Sequence, residues 1–212
     1  MIKILIADDH PVVRQGLRQI LADIPDMIVE GEAGDGYEVL DKVKQGDYDL
    51  VLLDISMPKL NGIDILNIWE HEGRRRPKVL VLSIYPEEQY AIRALKAGAL
   101  GYVTKNMAPS ELVTAIRKVA VGERYVSSTL AEKLASYLTA DRNKLLHESL
   151  SNRELQVLTM IAKGKTVKEI SAELSLSIKT VSTYRARLLE KMQLKNNAQI
   201  MQYAMQNHLL EE

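Results

Sequence analysis

The chain has 212 residues, 46% hydrophobic and 26% charged, which is the make-up of a folded globular protein long enough for one large domain or two small ones. No apolar stretch approaches the ~20 residues of a membrane span, the first strand-like run leaves no room for a signal peptide, and the lack of cysteine excludes disulfides and thiolate metal sites and fits a reducing cytoplasm. The 28 basic and 28 acidic residues cancel overall, but residues 1–125 carry 16 basic against 19 acidic and residues 126–212 carry 12 against 9, so an acidic half precedes a basic one.

The first half alternates two kinds of segment. Ile2–Ala7 is a buried-type strand closing in Asp8-Asp9, and Pro11–Ile24 has apolar residues at helical spacing. Met27–Ala33 reads as the second strand, Gly34-Asp35-Gly36 as its turn, and Tyr37–Gln45 as a short helix. The third strand, Tyr48–Leu53, closes in Asp54, and a helix follows over about Ile63–His71. Arg74-Arg75-Arg76-Pro77 reads as a solvated loop before a strand that closes in Ser83. Pro86–Ala97 is helical, the last strand runs from Gly101 to Thr104 and closes in Lys105, and Pro109–Val121 is the fifth helix. Five strand–helix pairs predict an α/β domain with a parallel sheet covered on both faces.

Beyond Gly122 the strand pattern stops. Residues 123–148 read as a linker, with a helix over Ser127–Ala140 and a polar stretch from Asp141 to Glu148. Residues 149–212 hold four helical segments. Ser151-Asn-Arg-Glu154 and Thr166-Val-Lys-Glu169 fit the capping box that marks helix starts. Ser177 suits the N-cap of a helix to Met192, and Asn197–Asn207 supplies the last helix.

Ligands of open α/β sheets bind outside the carboxyl ends of the strands. Asp8, Asp9, Asp54, Ser83 and Lys105 therefore converge on one cleft, a set that suits a divalent cation and a phosphoryl group. Paired carboxylates repel unless a cation sits between them, and Mg²⁺ takes one or two carboxylates plus water and phosphate oxygens. Asp54 is then the nucleophile of an aspartyl-phosphate. Each residue alone has a blander reading: Asp8-Asp9 as a helix cap, Asp54 before Met57-Pro58 as turn chemistry, Ser83 and Lys105 as structural or solvated, His10 as a surface or capping residue. Four strand ends with complementary chemistry outweigh these.

The Asp8-Asp9, Asp54-Ile-Ser-Met-Pro58, Asn61-Gly62, Ser83 and Lys105 pattern over residues 1–122 resembles the receiver domain of two-component response regulators. The resemblance implies a flavodoxin-like fold with strand order 2-1-3-4-5 and an Asp54 phosphorylated by a sensor histidine kinase. It also implies Mg²⁺ held by Asp9, Asp54 and the Ser56 backbone carbonyl, with Asp8 nearby or acting through water. Tyr102 would be an aromatic switch that turns inward as Ser83 moves toward the phosphoryl group. Asn106 stands where the family often has proline after its lysine.

In the second half, Thr166–Leu174, a turn, and Ile178–Met192 make a helix–turn–helix arrangement. Val181, Tyr184, Leu188 and Met192 share one face of the second helix and are expected in its core. Lys179, Thr180, Ser182, Thr183, Ala186 and Arg187 are the candidate DNA contacts, small residues and cations that suit the major groove, with Arg185 between the faces. Leu150–Leu209 resembles the LuxR-type four-helix output domain, through Leu150-Ser-Asn-Arg-Glu154, Ile161-Ala-Lys-Gly164, Lys168-Glu-Ile170, Ser177, Thr180-Val181 and Lys191-Met192. Tyr184 replaces a common histidine and Ser182-Thr183 a frequent lysine-containing pair.

Together the two resemblances point to a NarL/FixJ-type response regulator, a cytoplasmic regulator of transcription that binds double-stranded DNA as a homodimer. Ile200, Tyr203 and Ala204 on the last helix suit a dimer contact, and equally an internal core. A Mg²⁺-dependent phosphohydrolase is the rival, but its best-known form needs a carboxylate two positions after the nucleophile, where this chain has Ser56. A phosphorylation-independent DNA-binding or interaction protein is the third reading, disfavoured by the complete acidic set and Lys105.

Overall fold

Five segments form five parallel strands; four are largely buried on both faces, whereas the edge strand Met27–Ala33 is only partly buried. The computed structural model describes residues 1–72, 76–85, 87–127, 130–132, 145–207 and 209–210, which divide into two units, Met1–Leu138 and Thr139–Glu212. In the first unit the order is β1 Ile2–Ala7, α1 Pro11–Ala22, β2 Met27–Ala33, α2 Gly36–Gln45, β3 Leu50–Leu53, α3 Gly62–Glu72, β4 Lys78–Ser83, α4 Glu87–Lys96, β5 Gly101–Thr104 and α5 Pro109–Ala120. The sheet order is β2-β1-β3-β4-β5, and every pairing is parallel.

The central strands carry the core. Ile4, Ile6, Leu50, Leu52, Leu80, Leu82 and Val103 pack with Leu17 and Leu21 of α1 and with Leu112, Ile116 and Val119 of α5. The alternate residues Leu5, Val51, Leu53, Val79 and Val81 are equally buried, and the two-residue strand period turns them to the opposite face. At about 1.5–3 kcal/mol per buried aliphatic side chain, these strands fix the sheet register and therefore the height at which each strand ends.

Helix starts follow local chemistry. Pro11 and Pro109 open α1 and α5, where a missing N–H costs nothing. The Asp35 carboxylate accepts the Tyr37 and Glu38 amides at the start of α2. Buried Asn61 accepts the Ile63 amide at 2.8 Å at the start of α3. Beside it, Gly62 donates to the Ile55 carbonyl at 3.0 Å, and a Cβ there would overlap the Asp54 carbonyl oxygen.

After α5, Tyr125 forms a parallel bridge with Gly101 at the β5 edge. Residues 130–132 are helical; the rest of the helix expected over 127–140, and positions 74 and 75 of the expected arginine loop, lie outside the described residues.

The second unit opens with a 3-10 turn at Leu146–Ser149, then α6 Asn152–Ala162, α7 Val167–Glu173, α8 Ile178–Lys191 and α9 Asn197–Gln206. Both capping boxes form: Ser151 Oγ accepts the Glu154 amide while Glu154 Oε2 accepts the Ser151 amide, and Thr166 and Glu169 repeat the exchange. Ser177 and Asn196 cap α8 and α9. Leu155, Leu158, Ile170, Val181, Leu188, Met192 and Ile200 are buried. Glu154 also accepts from Lys191 Nζ at 2.7 Å, so one buried carboxylate closes the α6 cap and ties α6 to α8.

Gly62→Ala should destabilise the first unit by about 1–3 kcal/mol, the usual cost of forced backbone displacement. Trp69, the chain's single tryptophan, is buried in this unit, so a fluorescence-monitored urea titration reads the change in midpoint directly. An unchanged midpoint would mean that the loop does not need the close approach.

Candidate functional site

Register carries the strand ends to one level. Ala7 pairs with Leu53, Leu53 with Val81, and Ser83 with Thr104. The ladder then runs one residue further: the Asp54 amide donates to Ala7 O at 2.8 Å, the Asp8 amide to Ala33 O at 3.0 Å, and the Lys105 amide to Ser83 O at 2.8 Å. Backbone bonding thus fixes where these side chains leave the sheet, at the β1/β3 switch point where strand order reverses.

Lys105 Nζ lies 2.6 Å from Asp8 Oδ2 and 3.0 Å from Asp54 Oδ2. Asp8 and Asp54 are almost wholly buried, whereas Asp9 is about a quarter exposed. Burial pushes the Asp54 carboxyl up to about 6; Lys105 opposes that rise, Asp8 adds to it, and the Ser56 backbone N–H favours the charged form. Burial works against the charge of Lys105 too, but Asp54 and Asp8 outweigh it and hold the ammonium above the ordinary lysine range. One ammonium therefore serves two of the three carboxylates, and Asp9 faces His10 instead.

Asp8, Asp9, His10 and Asp54 each offer one possible ligand atom within 4.8 Å of the others. Asp54 Oδ1 is buried and has no hydrogen-bond partner among the described residues, an arrangement that costs about 1–3 kcal/mol or more unless a positive group fills it. Hard carboxylate oxygens around an unmet negative charge suit a hard divalent cation. His10 Nδ1 stands 2.8 Å from Asp9 Oδ1 and 3.2 Å from Asp8 Oδ1, so it caps the carboxylates from outside. The expected helix-capping role of the aspartates takes a different form: Asp8 Oδ1 accepts the His10 amide at 2.8 Å, and His10 precedes α1 with no side-chain cap.

Ser83 is buried, and its Oγ accepts the Tyr85 amide at 3.1 Å. Tyr102 is wholly buried and donates its hydroxyl to the Tyr85 carbonyl at 2.8 Å. Both candidate switch residues are thus fastened to Tyr85, whose ring lies 4.8 Å from that of Tyr90. Ser56 is half-buried two residues after Asp54. Arg14, which sequence reasoning missed, donates to the Asp8 carbonyl at 2.6 Å and pairs with Glu32 at 3.0 Å. Its place on α1, one turn after the aspartates, was the available signal.

On α8, Lys179, Ser182, Thr183, Ala186 and Arg187 are exposed. Thr180 is half-buried and its hydroxyl lies 2.7 Å from that of Ser177, which makes it part of the helix cap. Thr183 Oγ1 donates back to Lys179 O. Arg185 is engaged by Asn197 and Lys191 by Glu154, so Lys179 and Arg187 are the α8 cations turned outward. Ile178, also exposed, went unnoticed because an apolar residue at a helix start reads as core.

Of the two roles the sequence left open for α9, dimer contact or internal core, the packing of Ile200 and Ala204 fits the core. Ile200 and Ala204 are completely buried on a helix that packs against α6, and the Tyr203 hydroxyl is held by the His147 amide and ring at 3.3 and 2.9 Å. Their helical spacing marks the internal face; Met205 is exposed on the other side.

Residues 4–117 match the family model of the response regulator receiver domain, and residues 148–204 that of the bacterial regulatory proteins of the luxR family. Response regulator UvrY of Escherichia coli strain K12 is 37% identical over 210 residues, 99% of this chain and 96% of UvrY. The transcriptional regulatory protein LiaR of Bacillus subtilis is 38% identical over 211 residues, 99% of this chain and all of LiaR. RcsB of Salmonella enterica serovar Typhimurium, solved bound to promoter rprA with the phosphomimetic BeF3−, has a TM-score of 0.61 at 27% identity, over 95% of this chain and 97% of that one.

The charge geometry yields a pair of opposite effects in the absence of divalent cations. At neutral pH Asp54→Asn should stabilise the first unit, by on the order of 1–3 kcal/mol, because the native state no longer holds a carboxylate whose pKa burial has raised. Lys105→Met should destabilise it by about 3–5 kcal/mol, since it strips the counter-ion from buried carboxylates. Urea titrations of both variants and the double variant test this; equal or same-signed shifts would refute it.

Proposed function

The chain belongs to the response regulators that join a receiver domain to a LuxR-type DNA-binding domain, and we propose that Asp54 accepts a phosphoryl group from a sensor histidine kinase to control DNA binding by the second unit. The observation that carries this is the Lys105 ammonium between Asp8 and Asp54, beside a buried Asp54 Oδ1 with no hydrogen-bond partner among the described residues. Asp54 attacks phosphorus, the new bond is an Asp54 O–P bond, and the bond from phosphorus to the donor nitrogen breaks. Phosphoryl transfer leaves little covalent work for a protein beyond positioning and charge stabilisation. Asp9, Asp54 and the Ser56 carbonyl would hold Mg²⁺, with Asp8 beside them, and the bound ion supplies positive charge to the transferring oxygens. Lys105 supplies a second positive contact.

Ser83 and Tyr102 read the result. Drawing the Ser83 hydroxyl toward a phosphoryl oxygen breaks its bond to the Tyr85 amide, and Tyr102 holds the carbonyl of the same residue. Reversing a 1:99 equilibrium to 99:1 needs ~5.5 kcal/mol, so site bonding and dimerisation contribute jointly. Lys179 and Arg187 reach phosphates or guanine edges, while Ser182, Thr183 and Ala186 allow close approach to the major groove. A two-fold dimer would read paired half-sites, and any contact through α9 falls to its exposed Met205 side. Ser56 in place of a second carboxylate favours a switch over a turnover phosphohydrolase. Among the described residues no helix is long and apolar enough to cross a membrane, and a regulator of this kind works in the cytoplasm, beside its DNA.

Acetyl phosphate with Mg²⁺ should add one phosphoryl group to the intact protein and none to Asp54→Ala, as read by mass spectrometry; continuous turnover of phosphoesters without a trapped adduct would favour the hydrolase. On DNA, Lys179→Ala should weaken binding to all sequences alike and lower the slope of log affinity against log salt by about 0.9. Fluorescence anisotropy over a salt series measures this, and an unchanged slope would remove Lys179 from the phosphate contacts.

A further inference from the structure

We propose that residues 124–127 form the output arm of the receiver, an added edge strand through which the state of Ser83 and Tyr102 reaches the helix that opens at Leu130. The inference rests on the phosphoryl-switch reading above and names the route by which that switch is read.

The arm is fastened at the switch itself. After the turn at Gly122 the chain returns to the β5 edge, where the Tyr125 amide donates to Leu100 O at 2.9 Å and the Tyr102 amide donates to Tyr125 O at 3.3 Å. The residue whose phenol is latched to Tyr85 thus uses its own backbone to hold the arm. Gly101 permits the approach, because a Cβ there would lie 2.9 Å from Tyr125 O. Two residues on, Ser127 Oγ accepts the Leu130 amide at 3.0 Å and donates to the Glu87 carboxylate in the first turn of α4. Leu130 is buried. The α4 start lies a few residues beyond Ser83 at the end of β4 and Tyr85 after it, so the arm meets the switch at two points, the β5 backbone and α4.

Between those points Tyr125 packs against the edge of the sheet core, and the rest of the arm borders open space. A cavity of about 180 Å³, lined in part by Glu87, Val103, Thr104, Met107, Tyr125 and Ser127, lies beside it. Tyr125 is anchored on the far side by its hydroxyl bond to Glu111. A short segment held by a few hydrogen bonds beside an open pocket sits toward the low-stability end of a fold, from which switching elements are drawn. Simple protection of an exposed sheet edge would need the backbone bridge but not the Ser127–Glu87 bond.

The test uses the full chain with acetyl phosphate and Mg²⁺, and a duplex selected for binding from a random-sequence pool. Phosphorylation should change hydrogen exchange at the Tyr125 and Leu130 amides. Ser127→Ala and Glu87→Ala should leave the extent of Asp54 modification unchanged while lowering the phosphorylated-to-unphosphorylated affinity ratio roughly fivefold or more. Glu87→Gln, which keeps the acceptor, should retain the wild-type ratio. A full ratio in Ser127→Ala, or exchange at these amides indifferent to phosphate, overturns the output arm alone. Absence of any modification at Asp54 in the unaltered chain overturns the arm together with the phosphoryl-switch reading.

Discussion

The first unit is organised around one charge imbalance: three carboxylates meet a single ammonium at the carboxyl edge of a buried sheet. Asp8 and Asp54 are held there by the ladder, since their amides bond to Ala33 O and Ala7 O, and neither can withdraw without breaking sheet hydrogen bonds. Lys105 can satisfy two of them at once but not the whole set. The remaining negative charge favours a cation there, and on the proposed reading it is that cation's charge that admits a phosphoryl group. A site with balanced charge would be more stable and would have no use for either.

In the proposed switch, that imbalance is also what makes the site a trigger. Asp54, with its carboxyl displaced upward by burial, bonds to Lys105 at 3.0 Å. Ser83 and Tyr102 do not bond to Asp54 itself; both bond to Tyr85, one to its amide and one to its carbonyl. Movement of either hydroxyl changes the same peptide segment, so two side chains act on one loop. Interactions that share a partner couple by 0.5–3 kcal/mol, a sizeable part of what a two-state reversal needs.

Much of this was legible in the sequence, for identifiable reasons. The strand ends could be read because buried parallel strands are continuous apolar runs, and the residue closing each run is conspicuous by contrast. Ser151, Thr166 and Ser177 could be read because capping is settled within three residues of chain. What sequence hid depends on tertiary contact. Tyr125 lies in a stretch too short to show a strand period, and its pairing with β5 depends on where Gly122 turns the chain. Arg14 looked like an ordinary exposed helix residue until the Asp8 carbonyl was placed beside it. Ile200 and Ala204 share a face, and periodicity identifies a face without saying whether its cover is the same chain or another; here it is the internal core.

The second unit uses its charges in the opposite way. Lys191 is tied to Glu154 and Arg185 to Asn197, so two of the cations on α8 are spent on holding the unit together. Glu154 at once caps α6 and fixes the end of α8, which makes the orientation of the recognition surface a property of the fold and not of the DNA. With that surface rigid, control has little to act on within the helix–turn–helix itself. In the proposed switch the controllable quantity is whether the surface is presented, singly or in pairs, a decision that would belong to the phosphoryl site and to the segment that leaves β5 beside Tyr102.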